Sequence, residues 1–232
     1  MLDLVRYPIV SVQGHKKFQF YTSYLLKAIV TYYSLTILAV AIILLFDEFV
    51  TKPLLGYSIR QELRSFSTRI LSDDELYMYL GVVIIGPLIE ELIFRKFLSM
   101  SRRDILISLY FLLFKLSGVK FIDIYNLTDR FLFTGLILAI FFYLILCIIR
   151  GFDFSYDFRS SQKRFFYLSS ILFGLVHLYN FDNITFFSLP FYLIYISPQI
   201  ILGLVLANVR LQISFYSSWF THSLVNLISV VI

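Results

Sequence analysis

The sequence predicts an all-α protein, a polytopic transmembrane helix bundle of about seven spans (six to eight) with one interfacial amphipathic helix. Three observations predict it. Of the 232 residues, 59% are hydrophobic and only 15% charged, whereas a soluble domain carries about 25% charged residues. Apolar runs long enough to approach the thickness of a bilayer recur along the chain. Most of the Lys and Arg residues lie between those runs. Together these exclude a disordered, fibrous or ordinary cytosolic protein.

Each element follows from its own stretch of sequence. Residues 26–46, with Lys27 near the start as the only charged residue, form an apolar run that begins too far from Met1 for a cleaved leader and reads as a signal anchor. Residues 57–75 mix Leu, Ile and Phe with Arg60, Glu62, Arg64 and Arg69, the composition of a helix lying in the membrane interface. Residues 77–98 form the second span, interrupted by Glu90, Glu91 and Arg95. Spans at 105–116, which is short, 131–149, 165–179, 187–207 and 213–232 complete the set, with solvated loops at 118–130 and 151–164. The chain divides into an N-terminal segment, 1–76, and a membrane core, 77–232. With the N-terminus inside, twelve Lys and Arg residues fall on the cytoplasmic side and seven outside, leaving Arg95 aside, so the positive-inside rule favours that orientation.

The net charge of +5 is what a membrane protein acquires from loop cations beside anionic lipid. No basic run is interleaved with aromatics for stacking on bases, so no nucleic-acid partner is expected. Cys147 is the only cysteine, which excludes an internal disulfide or a cysteine-based metal site.

The informative residues are the ionisable ones inside apolar spans: Glu90, Glu91, Arg95, His177 and His222. A charge near the centre of a spanning helix costs about 2.5–3.5 kcal/mol, so three in 77–98 cost more than the apolar side chains of that segment return. The segment therefore needs polar partners from its neighbours. Glu91 and Arg95 stand at i and i+4, in the favourable acid-first order. Glu90 is rotated by ~100° from Glu91, so Arg95 neutralises Glu91 while Glu90 points into the bundle. Gly86-Pro87, one turn earlier, can kink the helix or free a carbonyl. His177 follows Phe173 by one turn, Asn180 can face the same cavity, and Tyr179, Asn180 and Asp182 can cap that helix. His222 and Asn226 share a face at i and i+4. Taken singly, each is as readily explained by an ion pair or by interhelical hydrogen bonding. Their concentration in three helices points to a site.

Glu90-Glu91-Leu-Ile-Phe-Arg95 resembles the EExxxR motif of the CPBP intramembrane proteases, the CAAX prenyl endopeptidase and bacteriocin-processing (Abi) group. Phe173-Gly-Leu-Val-His177 resembles its FxxxH motif. His222-Ser-Leu-Val-Asn226, preceded by Trp219, resembles its HxxxN motif, and the glycine-containing run 201–210 resembles the helix before it. The three motifs occur in the family's order over about two thirds of the chain. The long charged stretch between the second and fifth spans is a departure.

The resemblance implies endopeptidase chemistry inside the bilayer. Glu90 with His177 would activate water, His222 with Asn226 would stabilise the oxyanion, and Glu91 with Arg95 would support the helix. A desolvated carboxylate is a better general base near neutral pH, and one oxyanion donor is worth about 2.7–4 kcal/mol. No cofactor is required. Glu90, His177 and His222 form a His₂Glu set that permits zinc, although no HExxH places two ligands on one helix turn. The expected partners are a peptide or membrane-protein substrate and the lipid bilayer, and the expected location is a bacterial cytoplasmic membrane. The alternatives are a non-proteolytic scaffold that regulates a partner such as a sensor kinase, and a small transporter that uses the same residues as a relay.

Overall fold

The computed structural model describes Leu4 and residues 18–71, 79–99, 101–118, 135–136 and 162–231. The expected span at 131–149 apart from residues 135–136, Cys147, His15 and nearly all of the two loops at 118–130 and 151–164 lie outside these residues. Among those described, the regular structure is helical throughout, with no strand.

Helix α1 (Phe18–Phe46) passes through a π-helical turn, Asp47–Thr51, into the short α2 (Lys52–Leu55). The continuous run Phe20–Leu55 has 36 residues. At 1.5 Å per residue it is about 54 Å long, well beyond a hydrocarbon core of about 30 Å. Leu26, Ile37, Leu38, Ile42 and Leu45 are exposed on it, as suits a helix bathed by lipid. Gly56, with φ of 76°, ends α2 in the left-handed region that glycine adopts without strain. The amphipathic stretch expected at 57–75 folds as α3 (Ile59–Leu71).

The segment bearing the acidic pair is a composite. A π-helix, Tyr79–Ile85, leads into α4 (Gly86–Phe94), and a 3₁₀ turn, Lys96–Ser99, follows. Then come α5 (Arg102–Leu116), capped by the Ser101 hydroxyl on Asp104 N–H, and α6 (Gln162–Val176) with the 3₁₀ turn His177–Asn180. The chain closes with α7 (Leu189–Tyr195), α8 (Ser197–Gln212) and α9 (Phe215–Val231). Helix α6 tightens at His177, so that residue opens the turn instead of sitting within the helix. The carbonyl of Leu178 accepts from the backbone N–H of Phe181 at the end of that turn.

Among the described residues, one helix is long and apolar enough to cross a membrane alone. Helices α7 and α8, bent by 49° where they meet, form a second, broken candidate. The bend falls at Ile196, two residues before Pro198, whose missing N–H prevents a straight continuation. Helices α5, α6 and α9 have 15, 15 and 17 residues, or about 22–26 Å, so length alone does not identify them as spans.

Helix α8 is central to the packing. Leu202, Val205, Leu206 and Val209 join Ala28 and Tyr32 of α1, Ile93 and Phe94 of α4, Phe173 of α6 and Val225 of α9 in one apolar cluster. Gly203 brings α6 close, because a Cβ there would lie 2.9 Å from the Ser170 carbonyl oxygen. A second cluster joins Ile43, Ile59, Phe181, Tyr192, Tyr195 and Ile196, which seats α3 on the rest of the protein.

Candidate active site

The π-helix before the acidic pair has a local cause. In a π turn the N–H of residue i reaches the carbonyl of i−5. At position 86 a Cβ would lie 2.7 Å from the Gly81 carbonyl oxygen, so only glycine permits this closeness. Pro87 has no N–H to offer, and the Val82 carbonyl five residues back stays open. The freed carbonyl that Gly86-Pro87 suggested is thus present. Asn226 Nδ2 on α9 donates to Val82 O at 2.9 Å, and Trp219 Nε1 donates to Ile84 O at 3.1 Å. Two side chains of α9 therefore fasten the segment that leads to the carboxylates.

Both carboxylates meet His222, itself buried. Its Nδ1 lies 3.2 Å from Glu91 Oε1, and its Nε2 lies 3.7 Å from Glu90 Oε2. Glu91 is fully buried, whereas the Glu90 side chain is 18% exposed, so Glu90 is the carboxylate that solvent can reach. Ser218 Oγ is 2.5 Å from Glu91 Oε2 and 3.0 Å from the Leu206 carbonyl. Its single proton goes to one acceptor at a time. Ser218, His222 and Asn226 form one stripe at i, i+4 and i+8. The motif reading missed Ser218, although its spacing was visible in the sequence.

Arg95 forms the expected ion pair with Glu91, but a long one. Its Nε is 3.9 Å from Glu91 Oε1 with both side chains fully buried, and none of its side-chain nitrogens has a hydrogen-bond partner among the described residues. Its guanidinium carbon instead stands 4.6 Å from the centre of the Phe173 ring, in cation–π range. Glu91 is thus neutralised at a distance by Arg95 and hydrogen-bonded by Ser218 and His222.

Phe173 links the parts of the site. Its ring centre is 4.9 Å from that of His177 and 5.5 Å from that of His222. His177 Nδ1 lies 2.8 Å from the Phe173 carbonyl. A carbonyl only accepts, so Nδ1 carries the proton and the neutral ring keeps the Nε2 lone pair open. Among the described residues no hydrogen bond or ion pair joins Glu90 to His177; the direct neighbour of Glu90 is His222. Asn180 is half-buried at the end of the His177 turn. Among the described residues no group of three or more His, Cys, Asp or Glu side chains is placed to hold an ion.

No curated protein and no solved structure matches the chain. A family model, type II CAAX prenyl endopeptidase Rce1-like, matches residues 72–228. That region contains the acidic pair, Arg95, both site histidines and Asn226, and takes in well over half of the sequence. The chain belongs to this Rce1-like family of membrane-embedded CAAX proteases, hydrolases that cut peptide bonds.

Proposed function

We propose that the protein is a multi-pass intramembrane endopeptidase that hydrolyses membrane-associated or leader-type peptides. In this reading the chain has about seven spans, six of them in a catalytic core at 77–232, the N-terminus faces the cytoplasm, and the host membrane is a bacterial cytoplasmic one. The observation that carries the reading is the convergence of Glu90, Glu91 and His222, with the Phe173 ring between His222 and His177.

The chemistry follows from the atoms. Glu90 takes a proton from water while the open Nε2 of His177 accepts the other O–H and orients it. The water oxygen adds to the scissile carbonyl. The resulting oxyanion is held by the second N–H of Asn226, whose amide orientation is set by Val82, and by His222 Nε2 when that ring carries both protons between its two carboxylates. Glu90 then returns the proton to the leaving amine. Glu91, Arg95 and Ser218 hold His222 in place. No metal enters any step.

Purified wild type and Glu90→Gln, incubated in detergent with a mixture of membrane peptides with and without a chelator, test this by mass spectrometry of new termini. Cleavage by wild type alone, unaffected by chelator, is expected. An equally active Glu90→Gln refutes Glu90 as base, and loss of cleavage with chelator refutes metal independence.

A further inference from the structure

The family match begins at residue 72, yet an element before it reaches the chain next to His177. Glu62, on α3, accepts hydrogen bonds from the backbone N–H groups of Asp182 and Asn183 at 2.5 and 2.9 Å, both at Oε1. Its Oε2 accepts from the hydroxyl of buried Tyr192 at 2.8 Å. Tyr57, just before α3, lies 3.2 Å from the same hydroxyl and 3.5 Å from the Asn183 carbonyl oxygen. The segment so gripped follows the His177–Asn180 turn directly. Phe181 closes that turn onto Leu178 O and is buried against Ile59 and Tyr192.

His177 is therefore fixed from two directions. On one side its own helix holds it through the Phe173 carbonyl. On the other, the end of its turn is tied to α3. A turn of four residues transmits displacement at one end to the other, since each 3₁₀ hydrogen bond links residues only three apart. We propose that Glu62 is a positioning residue for the reaction, which fixes the backbone after the His177 turn and so sets the imidazole toward the attacking water. The proposal rests on the reading of His177 as a water-orienting group.

Oε1 alone receives both N–H groups, so the role needs an acceptor at that point and not the charge. Glu62→Gln keeps the acceptor and is expected to retain wild-type turnover. Glu62→Ala removes it and should lower kcat about tenfold with KM unchanged, as a displaced catalytic group does. Glu62→Asp shortens the reach and should fall between, which keeps the test usable if the Ala variant does not fold. The chain has three histidines, so ¹³C-labelled imidazole NMR of the full chain in detergent provides a second readout. The His177 signal should move in Glu62→Ala while that of His222 stays. Unmoved His177 with wild-type turnover overturns the proposal, as does equal movement of both histidines with a lowered Tm, which marks general loosening. His177→Ala, run alongside on the peptide wild type cuts fastest, separates the failures. If it is fully active, the catalytic reading falls. If it is inactive while Glu62→Ala is unchanged, only the positioning role falls.

Discussion

The side-chain amide of Asn226 donates to the backbone carbonyl of Val82, a bond that exists because Pro87 has no N–H to occupy that oxygen. It couples the last helix to the turn that leads to Glu90. Asn226→Ala is expected to abolish most turnover while costing only about 1 kcal/mol of stability, since the pair is half-buried. Thermal unfolding in detergent beside a cleavage assay checks this. A large loss of stability with normal turnover would make Asn226 a brace alone.

Ser218→Ala leaves one oxygen of the fully buried Glu91 carboxylate without its donor. A hydrogen bond to a charged group contributes about 1.5–3 kcal/mol, and a loss of that order should appear in the unfolding midpoint. Turnover should fall as well, because Glu91 also orients His222 through Nδ1. An unchanged midpoint would show that Glu91 finds another donor.

Glu91 and Arg95 are both fully buried. Removing one partner strands the other charge, at a cost of about 3–5 kcal/mol. Glu91→Gln and Arg95→Met should each be strongly destabilised, and the double variant should regain part of the loss because no lone charge remains. The recovered double variant should still turn over poorly, since the carboxylate that meets His222 Nδ1 and Ser218 Oγ is gone. A double-mutant cycle on unfolding measures the coupling.

At Gly203 a Cβ would stand 2.9 Å and 3.0 Å from the backbone of Ser170. Backbone cannot swing aside, so Gly203→Ala must part α6 from α8 and should cost about 1–3 kcal/mol. At Gly135 a Cβ would meet none of the described residues within 4 Å, and Gly135→Ala should not lower the midpoint. Equal midpoints for the two variants would refute the close packing.

Asp104, in the first turn of α5, is the group whose acid titration should be visible. Burial, the largest single influence, raises its pKa. The hydrogen bond from Ser99, the charge of Lys96 and the bond to Ser101 together outweigh burial and hold it below the ordinary carboxylate value. A lowered folded pKa means that its stabilisation is complete above the unfolded value, about 3.9, and is lost as pH falls through the folded one. Asp104→Asn should therefore flatten the acid limb of stability below about pH 4 and leave the neutral range parallel to wild type. Identical acid limbs would refute it.

The local features were legible in the sequence because they depend on neighbours within two turns. The amphipathic stretch became α3, the apolar run 26–46 lies within α1, and the i and i+4 pairs share faces as their spacing dictates. What could not be read was each helix's interior. Whether 77–98 runs as one α-helix depends on the fit of Gly86 against Gly81 and on Asn226 and Trp219 taking open carbonyls, and neither donor is near in sequence. The expected ion pair of Arg95 with Glu91 is present but long, at 3.9 Å, for a similar reason. Phe173, from a helix far along the chain, takes the guanidinium face, and Ser218 and His222 take the carboxylate.

By itself, the sequence determined the helical class, the apolar character and the few polar groups placed inside apolar stretches. Composition and short-range periodicity are properties of the chain before it folds. Tertiary structure alone decided that His222 lies between Glu90 and Glu91, that Phe173 joins the two histidines, and that Glu62 grips the chain beyond His177. Those contacts connect residues more than a hundred positions apart or depend on the rotation of one packed helix against another. That rotation is set by the fit of side chains at close approaches such as Gly203 against Ser170, and no linear spacing records it.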